Sequence, residues 1–142
     1  MIKQNIVFVE NKAGSLKRVT GLLANNNFNI YGFACFDAPE FAIFRMICDD
    51  PDKAEIILNQ SGYMNRITQA IVVDMKDQVG GLDELLKIMA DSNVSLDYIY
   101  TSFHRKDLRP VVILHSEDIT VTESVLKNNG FKVFSAADEL EK

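Results

Sequence analysis

Glu10-Asn11-Lys12-Ala13-Gly14-Ser15-Leu16 decides the fold of this chain, because the stretch occurs twice. Its echo is Lys76-Asp77-Gln78-Val79-Gly80-Gly81-Leu82. Gly14 and Gly80 stand 66 positions apart (80 − 14), and the same offset carries Leu16 onto Leu82, Leu23 onto Met89, Ala24 onto Ala90, Asn27 onto Asn93 and Ile30 onto Leu96. In each copy an apolar run enters a polar turn with a glycine, and an amphipathic segment leaves it. A strand, a tight turn and a helix start account for that pattern, which presents backbone N–H groups to an anion. A glycine placed where the backbone needs positive φ explains either turn alone. Two in register, each opening the first helix of the same unit, point to a shared role.

Outward from the first turn, Ile6-Val7-Phe8-Val9 reads as a short buried strand. Leu16, Val19, Leu22 and Leu23 recur at helical spacing, and Asn25-Asn26-Asn27 ends that helix, since Asn tolerates a left-handed exit. Phe28 to Phe36 and Phe41 to Cys48 read as strands joined at Asp37-Ala38-Pro39-Glu40. Asp49-Asp50-Pro51-Asp52 starts a helix that runs to Gly62, and Tyr63 to Ile67 forms a last strand. The second copy repeats the order: strand Ala70 to Met75, a helix through Leu82, Leu85, Leu86 and Met89, and a hairpin of Val94 to Phe103 with Val111 to Leu114. A helix from Thr120 to Lys127 and a strand from Phe131 to Phe134 complete it.

After the hairpin the offset grows to 68 (118 − 50), so two residues were added at the tip, where insertions are tolerated. The expected fold is α+β. It consists of two tandem ferredoxin-like βαββαβ units, antiparallel sheets with helices on one face, over residues 1–68 and 69–142. The second unit carries the short tail Ser135 to Lys142, as one helical turn or as disordered chain.

Units of this size are marginal alone and should share a core or associate. The strands Ile6 to Val9, Ala70 to Val73, Val111 to Leu114 and Phe41 to Phe44 do not alternate apolar with polar residues. Both sheet faces therefore look covered, and helices cover only one, so a second sheet and a homodimer are expected. The net charge of −5 disfavours nucleic acid and anionic membrane as partners. No run reaches the ~18 apolar residues of a membrane span and no signal-peptide pattern opens the chain, so a cytoplasmic location is expected. Cys35 and Cys48 sit too far apart across the hairpin for a bridge: Cys35 should pair near residue 42 and Cys48 near residue 29.

Several chemistries lack their motifs. The third strands have no K/R-G-F/Y-G/A-F pattern for RNA, no C-x-x-C marks a metal loop, and no G-x-x-x-x-G-K-[ST] holds a nucleotide. His104 lies in the charged tip His104-Arg105-Lys106-Asp107-Leu108-Arg109, and His115 ends a strand. Neither has a partner acid or nucleophile at a motif spacing. No catalytic residue, metal ligand or cofactor is expected. The tip reads as a solvated turn or, alternatively, a clamp for an acidic ligand or partner.

The chain resembles two ACT domains in tandem, the small-molecule-sensing modules of amino-acid metabolism. The likeness runs from Asn5 to about Phe134. It rests on the D/E-x-x-x-G-x-L turn at Glu10 to Leu16 and on Asn27-Phe28-Asn29-Ile30, similar to the family's small-polar-Asn-Ile start of strand two. In the second copy it rests on Gly80, Leu82 and Asn93-Val94-Ser95-Leu96, followed by Asp97-Tyr98-Ile99-Tyr100. The family's frequent Pro before the glycine is Ala13 in one copy and Val79 in the other, and Ser95 replaces the strand-two Asn.

The resemblance implies an amino acid bound at the interface between two such domains. Its carboxylate would sit on the helix start and its ammonium on strand two. The implied site comprises Asn11, Lys12, Ala13, Gly14, Ser15, Leu16, Asn29 and Ile30 in the first copy, and Gln78, Val79, Gly80, Gly81, Leu82, Tyr98 and Tyr100 in the second. Tyr31, Cys35 and Phe36 are further pocket candidates. Charge ranks the copies: Lys12, Lys17 and Arg18 surround the first helix start, whereas Asp77, Asp83 and Glu84 surround the second and would repel an anion. The Gly14 turn is the stronger carboxylate site. The leading expectation is a non-catalytic amino-acid sensor or regulator acting on a metabolic enzyme subunit, as small regulatory subunits of the family do. The alternatives are a protein-interaction module or regulatory subunit with vestigial sites, and an enzyme of unrecognised mechanism.

Overall fold

The computed structural model describes residues 1–142. Its elements are β1 (Ile2–Glu10), α1 (Ser15–Asn25), β2 (Ile30–Asp37), β3 (Phe41–Cys48), α2 (Pro51–Gln60), β4 (Asn65–Asp74), α3 (Gly81–Asp91), β5 (Leu96–Phe103), β6 (Pro110–Ser116) and α4 (Ile119–Asn128), with a final 3-10 turn at Ala137–Leu140. The pairs β1–β3, β2–β3, β4–β6 and β5–β6 are all antiparallel. This is the α+β, ferredoxin-like arrangement read from the repeat. The chain divides into two compact units, an N-terminal one of Lys3–Thr68 and a C-terminal one of Gln69–Lys142 together with Met1–Ile2. No helix is long and apolar enough to cross a membrane.

Each unit packs two helices on one face of its sheet. In the N-terminal unit Val19 and Leu23 of α1 and Ala54 and Leu58 of α2, each pair four residues apart on one helix face, meet Val7, Val9, Phe44, Met46 and Cys48. In the C-terminal unit Leu85 and Met89 of α3 and Leu126 of α4 meet Ile71, Val73, Val112 and Leu114, with Met1 packed at the margin. Burying each such Leu or Val contributes roughly 1.5–3 kcal/mol. On the opposite face of the C-terminal sheet, Ala70, Val72, Val111 and Ile113 are also fully buried. On that face of the N-terminal sheet Phe36 and Phe41 remain exposed, and Phe41 meets Phe8 edge to face at 5.3 Å.

The helix ends follow local chemistry. Asp50 caps α2 by accepting from the Lys53 N–H at 3.1 Å, with Pro51 in the first turn. Asp118 caps α4 in the same way through Val121 at 3.3 Å. The exits from α1 and α3 pass through Asn27 and Asn93 at φ 61° and 56°, the left-handed region that Asn tolerates.

Two strands differ from the expectation. The separate strands Tyr63 to Ile67 and Ala70 to Met75 are one strand, β4, because Ile67-Thr68-Gln69 holds no turn residue to end it. The expected strand Phe131 to Phe134 shrinks to a single bridge, Val73 to Val133, flanked by Asp74 N–H to Lys132 O and Phe134 N–H to Val72 O. It ends there because the Glu139 carboxylate gathers the N–H groups of Ser135 and Ala136 and bends the tail into its 3-10 turn.

Cys35 pairs with Phe44 and Cys48 with Ile30, so the β2–β3 turn is centred about one residue later than the sequence suggested, and both thiols are free. Burial pushes the Cys48 thiol up from its ordinary 9.0 to about 11, and raises that of the less deeply buried Cys35 as well. An unfolded chain therefore releases the Cys48 proton from about pH 9, whereas the folded one holds it to about 11. Across that window the unfolded state binds fewer protons, so this contribution to stability is whole below pH 9 and is lost as pH rises to 11. At pH 8 a thiol reagent is expected to modify Cys35 while leaving Cys48 untouched until denaturant is added, as mass spectrometry of the labelled peptides would show.

Candidate regulatory ligand site

The two glycine turns have the same backbone construction. In the first, Lys12 N–H donates to Glu10 O, Ser15 N–H to Lys12 O and Arg18 N–H to Gly14 O. In the second, Gln78 N–H donates to Lys76 O, Gly81 N–H to Gln78 O and Glu84 N–H to Gly80 O. Gly14 at φ 82° and Gly80 at φ 85° occupy the left-handed region and serve as the N-caps of α1 and α3. A glycine has no side chain to offer, and neither helix start has a side-chain cap. α2 and α4, by contrast, are closed by aspartates. The uncapped starts carry the partial positive charge of the helix dipole, which an anion would satisfy.

Side-chain charge separates the two starts. α1 has no acidic residue in its first turn, whereas α3 has Asp83 and Glu84. Around α1 two of the three cations are already engaged. Lys12 Nζ lies 2.7 Å from Glu10 and holds that carboxyl below its usual range, and Arg18 donates to Ser15 Oγ at 3.2 Å. Lys17 lies back along α1, its Nζ 3.1 Å from where a Gly21 Cβ would stand. Positions 10 and 18 carry Glu and Arg; their counterparts 76 and 84 carry Lys and Glu, joined at 3.1 Å. Opposite charges thus occupy the same two places with the signs exchanged. The second pair forms an ion pair, whereas in the first Glu10 is held by Lys12 and Arg18 turns to Ser15.

Cavities flank both starts. Beside α1 a polar cavity of about 330 Å³ is lined by Glu10, Ser15, Arg18 and Tyr63, and its counterpart beside α3, of about 460 Å³, by Lys76, Glu84, Arg109 and Lys132. In the latter Arg109 is tied to Asp74 at 2.8 Å and to Asp107 at 2.6 Å. On the other flank of α1 a cavity of about 390 Å³ is lined by Leu16, Lys17, Thr20, Ile30, Phe33 and Phe44.

A family model described as an ACT domain pair matches residues 1–141. The chain belongs to the ACT domain pair family. Among solved structures, protein BT0572 from Bacteroides thetaiotaomicron is similar over 99% of this chain and 96% of its own, at 27% identity and a TM-score of 0.89. The regulatory subunit of aspartate kinase from Thermus thermophilus, in its ligand-free form, shares the fold over 90% of this chain and 91% of its own, with 14% identity and a TM-score of 0.62. That of Thermus flavus covers 88% of each chain at 14% identity and a TM-score of 0.60. A comparison with curated proteins finds no match. ACT domains are regulatory modules, and this pair is one by family.

Within the ACT pair, the residues singled out from sequence take different places. Asn11, Lys12, Ala13 and Gly14 are exposed on the first turn and Ser15 is buried beneath it. Asn11 Nδ2 donates to Ala38 O at 3.2 Å, which ties the turn to the β2–β3 loop. Asn29 exchanges backbone bonds with Asp49, donating to its Oδ1 at 3.1 Å and accepting from its N–H at 3.2 Å. Leu16 and Ile30 come together in the apolar cavity. In the second copy Gln78, Val79, Gly80 and Leu82 are exposed and Gly81 is buried. Tyr98 and Tyr100 stack on each other at 6.4 Å, and Tyr98 stacks on His115 at 5.4 Å. His115 Nδ1 is 2.7 Å from Asp97 Oδ2.

Sequence reasoning did not name Phe33, Phe44 or Thr20 as site residues. The missing signal is a β-bulge. Between Ile30 and Gly32 the β2–β3 register slips, so Ile30 and Phe33, three apart, both face α1. Strict alternation would have set them on opposite faces and favoured Phe36 instead. The same slip between Leu96 and Tyr98 in β5 places Leu96 and Ile99 against the helices, with Tyr98 and Tyr100 on the other face beside His115. No group of three or more His, Cys, Asp or Glu side chains is placed to hold a metal ion.

Proposed function

We propose that this ACT pair is a non-catalytic sensor that binds an amino acid by its carboxylate at the uncapped start of α1. The carrying observation is the contrast among the four helices: the two that open on glycine turns have no side-chain cap, while the other two are closed by Asp50 and Asp118. The absence of acid in the first turn of α1 favours that start over α3. The site is completed at an interface between two ACT units, and the chain works as a cytoplasmic homodimer that shifts the conformation of an enzyme subunit. Supporting the association are the exposed Phe36 and Phe41 and the position of β2 at the sheet margin, paired only with β3. The fold shared with aspartate kinase regulatory subunits supports the enzyme partner.

A thermal-shift screen of the intact protein against the common L-amino acids tests the ligand. At about 100 times its Kd a ligand should stabilise by about 2.7 kcal/mol, a shift of several degrees. Gly14→Asp is expected to abolish that shift and Gly80→Asp to reduce it less. No shift with any amino acid at millimolar concentration would favour a protein-interaction module instead. Light scattering at micromolar concentration should return a dimeric mass; a monomeric one overturns the dimer.

A further inference from the structure

Resting on the carboxylate reading of the α1 start, we infer that the ligand is an amino acid with an apolar side chain, aliphatic or aromatic, seated in the groove between α1 and β2. The groove begins where the carboxylate would end. Leu16 stands in the first turn of α1 and Thr20 one turn further, a span of about 6 Å along the helix. From an α-carbon held near Gly14, a leucine or phenylalanine side chain enters the Leu16 end of the groove. The walls match it: Leu16, Ile30, Phe33 and Phe44 supply carbon, and the volume of about 390 Å³ lies within the usual range of small-molecule sites. Phe44 forms a fixed floor at 1% exposure, while Phe33, 62% exposed, leans on it at 6.1 Å between ring centroids. Phe33 is thus a large apolar surface left to water unless something covers it.

Of the polar groups lining the groove, the Thr20 hydroxyl is bonded within α1, donating to Lys17 O at 3.2 Å, and the Lys17 ammonium is turned along the helix beside Gly21. A serine or lysine side chain would enter among carbon atoms with no partner and give up its hydration. Charge complements the other end, where the α1 start has neither acid nor side-chain cap. The counterpart positions in the second copy read differently: Asp83 stands for Lys17, Leu86 for Thr20 and Ile99 for Phe33. There a carboxylate meets an acidic first turn.

Titration calorimetry of the full chain with leucine, isoleucine, phenylalanine, serine, lysine and aspartate decides the class. The apolar three should bind at least tenfold more tightly than the rest. Phe33→Ala and, independently, Leu16→Ala, both at exposed side chains, should weaken leucine binding by about tenfold with the fold retained by circular dichroism. Tighter binding of aspartate, which would recruit Lys17, or of serine overturns the ligand class while leaving the carboxylate reading intact. If none of the six binds, the carboxylate reading itself fails and this inference with it. If Phe33→Ala halves the mass in light scattering while leucine binding is unchanged, the groove is a contact between copies and the inference is overturned.

Discussion

Gly81→Ala is expected to cost the C-terminal unit on the order of 3 kcal/mol, far more than any neighbouring glycine change. A Cβ built on Gly81 would stand 2.1 Å from the Lys76 carbonyl oxygen and 3.2 Å from its carbonyl carbon. Both are backbone atoms, and the carbonyl also accepts the Gln78 N–H that shapes the turn, so relief requires the turn itself to open. The Lys76–Glu84 ion pair spans the same segment. Gly80 is the control. A Cβ there meets nothing within 4 Å, and its φ of 85° alone sets a cost of about 1 kcal/mol for Gly80→Ala. Urea unfolding of the two variants, compared at equal m-value, measures the difference. Equal midpoints would show that the second turn yields readily. The first copy carries Ser15 at the place of Gly81, with the same hydrogen-bond pattern.

Phe44→Ala should destabilise the N-terminal unit by about 3–5 kcal/mol, through lost burial together with the cavity that remains. Phe44 sits at the centre of β3, opposite Val7 of β1 and Cys35 of β2, within the cluster that holds Val19, Leu23 and Leu58. It is also the floor of the apolar groove. Phe44→Leu retains most of the volume and should cost less than about 1.5 kcal/mol. Hydrogen exchange of the amides of α1 and β3 reads the loss within the unit concerned, where a single melting midpoint would blur two units. Protection in those elements that stays unchanged in Phe44→Ala would contradict the placement of Phe44 in the core.

Much of this was legible in the residues. Gly14 and Gly80 mark left-handed helix starts, Asn27 and Asn93 mark left-handed exits, and Asp50-Pro51 opens α2, because each is a local preference that tertiary contacts did not override. What escaped depends on partners remote in sequence. Whether Phe131 to Phe134 makes a ladder or one bridge is decided by Glu139 drawing the tail away. The continuity of β4 through Thr68, by contrast, was there to be read in Ile67-Thr68-Gln69, which holds no turn residue. The bulges in β2 and β5 have a register but no sequence signature beyond Gly32 in one copy, and they move Phe33 into the candidate site and turn Tyr98 to the opposite face. The glycine turn was readable; the groove beside it was not.

The membership of Met1 and Ile2 in the C-terminal unit has a consequence for order of events during synthesis. Lys3–Thr68 is contiguous, so the N-terminal unit has all its strands and helices as soon as that length has emerged. The C-terminal unit is different: Met1 and Ile2 precede the whole of the other unit along the chain and the remainder follows it. Closing that gap joins residues some 70 or more apart, a slow step by the measure of contact order. The N-terminal unit can thus mature early, while Met1 and Ile2 wait for partners not yet translated.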